Sequence, residues 1–250
     1  MRIAFISDIH GNYTAFKAVL ADLHAQQVER VISLGDTVTL GPQPLETLAQ
    51  LRELNCIYIK GNHDWAVLDP EQASAFQITE HLVPDLYWCR ERLSEDDREF
   101  IRSFRDTYEF TFPNGVSVLC FHGSPASPID LIQSTTPSED LTKYFNGRHA
   151  DVFIGGHSHI QMHRRHGDKL VLNSGSVGNA FIHAYAPGNI PGLLPWAEYA
   201  ILSQKGESLD VDLRRVYFDT EELLRIVAES GLPGTQWWLK QYQKVTEEQK

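Results

Sequence analysis

The chain has 250 residues, of which 42% are hydrophobic, so it is long enough to bury one large core, and we expect a single domain over residues 1–250. Its 22 basic and 33 acidic residues give a formal net charge of −11, and no segment concentrates Lys and Arg. This balance argues against binding to a nucleic-acid backbone. Three cysteines without a CxxC pair argue against a disulfide framework and a thiolate zinc site.

The sequence also carries no predicted targeting or membrane segment. Its N-terminal apolar run reaches a charge at Asp8, which makes the run too short for a signal peptide. Nowhere do about 18 apolar residues follow one another without interruption. We therefore expect a cytoplasmic protein with no membrane partner.

The first third of the chain alternates strand-like apolar runs with helix-like periodic stretches. Strands are predicted at residues 2–7, 28–34 and 56–60. Apolar residues recur at helical spacing after the first strand, at Phe16, Val19, Leu20 and Leu23, and after the second, at Leu45, Leu48 and Ala49. This order is typical of βαβ units that form a mostly parallel sheet. Asn12 is expected to cap the first helix.

The alternation breaks at about residues 70–105, where a helical insertion is predicted. Ser94 and Asp97 have the spacing of a helix cap. Aromatic residues of the insertion, namely Phe76, Tyr87 and Trp88, are interpreted either as core packing or as an apolar wall beside a bound base or aryl group.

A second sheet is predicted to begin after the insertion. Tyr108, Phe110 and Phe112 alternate with polar residues, and a turn at 113–115 leads into a second apolar run at 116–121, which predicts a hairpin. Further predicted elements are strands at 151–155 and 169–173, a loop at 184–197 and a last helix that begins after Asp219 and ends at Gly231 and Pro233. Trp237 and Trp238 are interpreted as packing or as a contact in a possible homodimer.

Five predicted strands end in residues that are able to bind metal. These residues are Asp8, His10, Asp36, Asn62, His63, His122, His157 and His159. Because the carboxyl ends of strands converge on one crevice in an open α/β sheet, we expect these side chains to meet. Glycine stands next to nearly every one of them, as expected where the backbone turns sharply beneath a crowded site.

Carboxylate, imidazole and amide ligands without a thiolate suit Mn²⁺, Fe or Zn²⁺ better than Ca²⁺. Seven ligands are too many for one ion, but two ions roughly 3.5–4 Å apart would share them. In that arrangement Asp36 is the bridging carboxylate, and a hydroxide that bridges the two metals is the nucleophile. Manganese is favoured among divalent ions, with iron, zinc or nickel as alternatives.

The motifs that carry these residues resemble those of one family. In chain order they are Asp8-x-His10, Gly35-Asp36, Gly61-Asn62-His63-Asp64, His122-Gly123 and Gly156-His157-x-His159. All five together resemble the calcineurin-like metallophosphoesterase superfamily. The loop at 35–42 and the segment at 173–178 extend the resemblance to its small prokaryotic branch.

The resemblance implies an α/β/β/α sandwich of two mixed sheets flanked by helices. It also implies one metal on Asp8, His10, Asp36 and His159, and a second metal on Asp36, Asn62, His122 and His157. His63 would not be a ligand. As an imidazolium it would act on the leaving-group oxygen.

One loop departs from the pattern of phosphoprotein phosphatases in this superfamily. Their Gly-Asp-x-x-Asp-Arg-Gly motif is matched here by Thr39 and Leu40, so the carboxylate that orients the catalytic imidazole and a phosphate-binding arginine are absent from the loop. Whether Asp64 orients His63 instead remains open at this point. Arg164 or Arg165 is a further candidate for contact with phosphate.

The predicted function is metal-dependent hydrolysis of a small phosphate monoester, a phosphodiester or a nucleotide. One alternative is a phosphoprotein phosphatase. The other is a non-catalytic metal-binding scaffold of the same fold, as in the retromer subunit, where the metal site is degraded. The presence of His63 with a full set of ligands favours the enzyme.

Overall fold

The computed structural model describes residues 1–185 and 191–248, with side chains described as far as Tyr242. Within these residues the strands are β1 (Arg2–Ile6), β2 (Arg30–Ser33), β3 (Ile57–Tyr58), β4 (Tyr108–Thr111), β5 (Ser117–Cys120), β6 (Val152–Gly155), β7 (Gln161–His166), β8 (Lys169–Ser174), β9 (Trp196–Lys205) and β10 (Ser208–Tyr217). The α-helices are α1 (Tyr13–Ala25), α2 (Pro44–Leu54), α3 (Asn62–Leu68), α4 (Val83–Arg92), α5 (Glu95–Arg102), α6 (Ser138–Phe145), α7 (Thr220–Glu229) and α8 (Thr235–Glu248). Short 3₁₀ helices lie at Pro70–Gln72 and Glu80–Leu82.

The first sheet has the strand order β10-β9-β1-β2-β3. Strands β1, β2 and β3 are parallel, whereas β9 runs antiparallel to both β1 and β10. All four residues of β1 from Ile3 to Ile6 are fully buried, because helices cover one face of the strand and the second sheet covers the other.

The second sheet has the order β4-β5-β6-β8-β7. Its central strands β5, β6 and β8 are parallel, and β4 and β7 are antiparallel edge strands. The hairpin predicted between β4 and β5 is confirmed. Gly115 has a φ of +90° in its turn and donates a backbone hydrogen bond to the carbonyl of Phe112 at 2.8 Å.

Alternate residues of the strands separate the layers. Ile3 and Phe5 of β1 pack with Val118 and Cys120 of β5 in the core between the sheets. Ala4, on the opposite face of β1, packs under α1 and α2. On the second sheet, the alternate residues pack under α6, namely Leu119, Phe153 and Val171. The expected α/β/β/α sandwich of two mixed sheets flanked by helices is therefore confirmed.

The segment predicted as a helical insertion contains both 3₁₀ helices, α4 and α5. Ser94 Oγ accepts a hydrogen bond from the backbone of Asp97 at 3.1 Å, which confirms the predicted cap. The segment packs in one apolar cluster with α3, α7 and α8. Trp88 is part of this core, whereas Tyr87 is 42% exposed. Trp238 of α8 is fully buried in the same cluster, so its packing interpretation is the correct one.

Two predictions in the second half of the chain need correction. The predicted loop at 184–197 ends earlier, because β9 begins at Trp196; residues 186–190 of that loop lie outside the described residues. The helix after Asp219 is confirmed as α7, but α8 follows it, so it is not the last. Strands β7, β9 and β10 and helix α6 were not predicted. In the described part of the chain no helix has the length and apolar character needed to cross a membrane.

Candidate metal centre

The predicted ligands lie on loops at the carboxyl ends of strands from both sheets. Asp8 and His10 follow β1, and Asp36 follows β2. Asn62 and His63 begin α3 after β3, His122 follows β5, and His157 and His159 follow β6. The structure brings all eight side chains into one cluster at the edge where the two sheets meet, with six of them buried and His63 and His157 half-buried.

Five of these residues have a left-handed backbone. The φ angles of Asp8, His10, Asp36, His157 and His159 lie between +49° and +66°. This conformation is uncommon for residues with a side chain, costs on the order of 1–3 kcal/mol per residue, and concentrates at functional sites. The shared conformation turns each side chain from the end of its strand toward the same point.

Backbone hydrogen bonds join the first two ligand loops. The amide of Asp8 donates to the carbonyl of Gly35 at 2.9 Å, and the amide of His10 donates to the carbonyl of Asp36 at 3.0 Å. Because the two loops form one hydrogen-bonded unit, the positions of Asp8, His10 and Asp36 are set together.

Close backbone approach explains two of the flanking glycines. A Cβ atom at Gly61 would overlap Oδ1 of Asp36, and a Cβ atom at Gly156 would overlap Oγ of Ser7 and Oδ2 of Asp8. Only glycine allows these loops to pass so close to the carboxylates.

The first ligand group consists of Asp8, His10 and His159. Nε2 of His159 lies 3.1 Å from Oδ1 of Asp8 and 3.1 Å from Nε2 of His10. Oδ1 of Asp8 is buried and has no hydrogen-bond partner among the described residues. A buried carboxylate oxygen and two imidazole nitrogens that face one another fit a cation, which would bind all three.

The second ligand group consists of Asp36, His122 and His157. Oδ2 of Asp36 lies 3.3 Å from Nε2 of His122, and Oδ1 of Asn62 lies 3.2 Å from the same nitrogen. The Nδ2 group of Asn62 donates a hydrogen bond to the carbonyl of Phe76 at 3.0 Å. The insertion therefore orients the amide so that its oxygen faces the site.

Asp36 belongs to the second group and also lies close to the first. Its Oδ2 is 3.3 Å from Nε2 of His122 in the second group and 3.8 Å from Nε2 of His10 in the first. One carboxylate oxygen within reach of both groups is the arrangement that a bridging ligand requires.

Two of the histidines are held by backbone carbonyls. Nδ1 of His122 lies 2.8 Å from the carbonyl of Leu34, and Nδ1 of His159 lies 2.8 Å from the carbonyl of Asn179. Because a carbonyl oxygen only accepts, Nδ1 carries a proton in each ring, and Nε2 is the nitrogen that faces the candidate metal site. Asn179 directly follows the segment at 173–178, and its orienting role was not predicted from the sequence.

The electrostatics of the cluster favour a cation. Burial alone would raise the pKa of Asp8, but His159 and His122 together outweigh it and hold that pKa below its ordinary range. For Asp36, the neighbouring histidines, His122 foremost, likewise outweigh burial and lower the pKa. Burial lowers the pKa of His10 to about 3. Burial also opposes the charged form of His122, but Asp36 prevails and raises that pKa to about 9. Both carboxylates are thus anionic at neutral pH.

Asp64 holds the Asp36 loop and does not orient His63. Its carboxylate accepts hydrogen bonds from the backbone amides of Asp36, Thr37 and Gly61 at 2.8, 2.9 and 3.0 Å. Burial, with the nearby Asp36 carboxylate, raises the pKa of Asp64 to about 6. The partner of Asp64 lies far away in the sequence, so the motif alone did not reveal this role.

His63 lies against the ligands. Its ring is 5.0 Å from that of His10 in an edge-on arrangement, and its backbone amide donates to Oδ1 of Asp36 at 2.9 Å. Nδ1 of His63 is buried and has no hydrogen-bond partner among the described residues. Burial lowers the pKa of His63, and Asp36 opposes this effect.

Position 40 carries no cation, and of the two arginines considered as phosphate contacts Arg164 is bound elsewhere. Leu40, at the position of the missing arginine, is 7% exposed, and its carbonyl accepts a hydrogen bond from Nε1 of Trp238 at 2.7 Å. Arg164 donates to the backbone carbonyls of Gln133 and Ser134 at 3.3 and 3.1 Å, so its guanidinium group stabilises that loop.

Comparison with known proteins agrees with this geometry. A family model for the calcineurin-like phosphoesterase superfamily domain matches residues 1–186. The chain is 27% identical over 238 residues to the uncharacterized protein MJ0912 of Methanocaldococcus jannaschii, which covers 92% of this chain and 93% of that protein.

Two solved structures have the same fold. A metallophosphoesterase from Sphaerobacter thermophilus is 25% identical, with a TM-score of 0.70 and coverage of 94% of this chain and 96% of that one. The hypothetical protein PH1004 from Pyrococcus horikoshii OT3 is 21% identical, with a TM-score of 0.76 and coverage of 93% and 94%. Since the family match spans well over half of its length, the chain belongs to the calcineurin-like phosphoesterase superfamily.

Proposed function

We propose that this protein is a metal-dependent phosphoesterase that hydrolyses a small phosphate monoester, a phosphodiester or a nucleotide. The observation that supports the proposal is the pair of ligand groups that Asp36 connects. Its Oδ2 lies within 4 Å of Nε2 of a histidine from each group.

We assign the first ion to Asp8, His10, Asp36 and His159. The second is assigned to Asp36, Asn62, His122 and His157. The donors are carboxylate, imidazole and amide atoms, which suits manganese, with iron, zinc or nickel as alternatives. When bound, two such ions supply Lewis acidity toward a phosphate oxygen and a water molecule acidic enough to attack at neutral pH.

Hydrolysis breaks the bond between phosphorus and the oxygen of the alcohol. The oxygen of water ends on phosphorus, and the departing alcohol oxygen takes up a proton. We assign delivery of that proton to His63, a contribution of roughly 10²–10⁴-fold for general acid catalysis. Because burial lowers the pKa of His63, its protonated form depends on nearby negative charge, which a bound phosphate supplies.

The test is a metal-reconstituted activity panel with purified protein. The metal-free chain is loaded with manganese, iron, zinc or nickel and assayed on an aryl phosphomonoester, an aryl phosphodiester and a nucleotide. Hydrolysis that requires the added metal supports the proposal. If the metal-loaded chain binds two ions but turns over no ester, the non-catalytic scaffold takes its place.

A further inference from the structure

A cleft of about 430 Å³ opens beside the candidate metal centre. His122, which belongs to the second ligand group, forms part of its wall. The other walls come from residues near the start of α3, from the insertion and from residues 124–128. A phosphate bound at the candidate metal centre would therefore lie next to this cleft.

One wall of the cleft is aromatic. Trp65 of α3 and Phe76 of the insertion have rings that are parallel within 7°, with centroids 6.0 Å apart. Both side chains are only partly buried and line the cleft. An aromatic ring that lines a cleft in this way gives a planar group a face on which to stack.

Polar groups of both signs line the same cleft. Nζ of Lys60 lies 4.0 Å from the ring centroid of Trp65 and donates to the carbonyl of Arg102 at 2.9 Å, which leaves further ammonium hydrogens as donors. Asp106 is exposed at the rim and supplies acceptors. A ring with both donors and acceptors at its edges matches this lining better than a plain hydrocarbon ring does.

We propose that this cleft binds the alcohol part of the substrate when that alcohol carries a planar aromatic heterocycle, of which a nucleobase is the representative class. The proposal rests on the proposed phosphoesterase activity for its position beside the reacting phosphate. Trp65 and Phe76 provide the stacking surface. Lys60 would donate hydrogen bonds to the edge of the heterocycle, and Asp106 would accept them.

The experiment compares substrates that share a phosphate ester at the 5-hydroxyl of ribose and differ in whether the ribose carries a base. Adenosine 5′-monophosphate is compared with ribose 5-phosphate, and the methyl diesters of both form a second pair. Base stacking on an aromatic side chain is worth about 1–3 kcal/mol, so kcat/KM should be roughly fivefold or more higher for the adenosine compound.

Three variants test the cleft itself. Trp65→Leu and Phe76→Leu remove the stacking surface, and Ala126→Trp fills the cleft from an exposed position on its lining. Each should bring the ratio of the two kcat/KM values close to one. Trp196→Leu is the matched control, because Arg215 lies over that ring at 5.3 Å but the residue does not line the cleft.

Calorimetric titration with adenosine and with ribose gives a second measurement that needs no turnover. Binding of adenosine that Ala126→Trp abolishes supports the cleft assignment even if no ester is hydrolysed, in which case only the proposed activity fails. The cleft assignment is overturned if both phosphates are hydrolysed equally well by the unaltered chain. Adenosine binding that all three variants leave unchanged also overturns it.

Discussion

The indole Nε1 of Trp238 donates a hydrogen bond to the backbone carbonyl of Leu40 at 2.7 Å. Trp238 is fully buried on α8, and Leu40 lies in the loop that begins with Asp36 and has a φ of +77°. The C-terminal helix therefore holds a strained loop next to the candidate metal centre. Residue 40 is a leucine whose carbonyl makes this contact and whose side chain is buried. At this position the loop therefore has no cation that could bind phosphate.

We predict that Trp238→Phe destabilises the protein by about 1–3 kcal/mol, because the carbonyl of Leu40 is left buried without a partner and some packing is lost. Thermal or denaturant unfolding measures the change. Tyr242→Phe is the control. Its ring stacks on Trp238, but its hydroxyl is buried without a partner among the described residues, so its removal should cost little. An equal loss in both variants would show that packing alone is responsible.

Replacement of Asp36 by Ala should remove both metal ions, because its Oδ2 lies between the two ligand groups. Elemental analysis of the purified protein should give two ions per unaltered chain and nearly none for the variant. Asp151→Ala serves as a control, because that carboxylate binds Ser117 away from the site. Full metal content in Asp36→Ala would refute the bridging assignment.

His63→Ala should keep its metals and lose roughly 10²–10⁴-fold in kcat, because we assign His63 to the leaving group. The loss should be smaller for esters whose alcohols leave easily as anions. Steady-state kinetics across a series of aryl phosphates measures this, with the exposed His163→Ala as control. A loss of the same size across the whole series would mean that His63 has another role.

Phosphoserine peptides should be poorer substrates than small esters. Leu40 occupies the place of the arginine that phosphoprotein phosphatases of this superfamily carry, and Arg164 is bound to backbone carbonyls. Without a guanidinium group, a dianionic phosphate loses a bidentate partner, whereas a diester with one charge fewer loses less. The measurement is kcat/KM for an aryl diester, an aryl monoester and the peptide. Better turnover of the peptide would favour the phosphoprotein phosphatase alternative.

Asp85 should make stability depend on pH. Its Oδ1 accepts a hydrogen bond from the amide of Gly234 at 2.6 Å, and burial raises its pKa to about 6. Because the folded-state pKa lies above the ordinary value, the folded state binds the proton more tightly, and stability rises as the pH falls through 6 toward the unfolded pKa of about 4. Asp85→Asn should therefore raise Tm at about pH 7.5 and much less at about pH 5.

Asp97 should show the opposite dependence of stability on pH. Hydrogen bonds from Ser94 outweigh burial and lower its pKa, so its carboxylate stabilises the fold above the ordinary pKa. Asp97→Asn should lower Tm at about pH 7.5, and the difference should shrink as the pH falls below about 4. If Asp85→Asn also lowers Tm at about pH 7.5, the assignment for Asp85 is wrong.

The sequence by itself was sufficient to predict which loops meet at the candidate metal centre, and to predict the helix caps at Asn12 and Ser94. Each ligand motif combines an apolar strand, a polar residue and a glycine within a few positions, and such local patterns are visible without the fold. The caps at Asn12 and Ser94 bond to amides only three residues away. The hairpin of β4 and β5 depends on a turn of three residues, so it was predictable for the same reason.

Strands β9 and β10 have a recognisable hydrophobic pattern in the sequence, although they were not predicted. The apolar residues of β9 from Tyr199 to Leu202, and the alternation of Leu209, Val211 and Leu213 after Gly206, are typical of a hairpin. Trp65 lies two residues after His63, but its sequence position does not reveal that its ring is parallel to that of Phe76.

Only the tertiary structure decided how the loops are held together. Asp64 accepts the amide of Asp36, 28 residues away, and Trp238 donates to a carbonyl 198 residues away. β9 pairs with β1 across nearly the whole chain. These partners follow from burial, since a polar group removed from water must find a hydrogen bond wherever the packing brings one. No periodicity or spacing encodes such a contact, because the two partners become neighbours only when the layers pack.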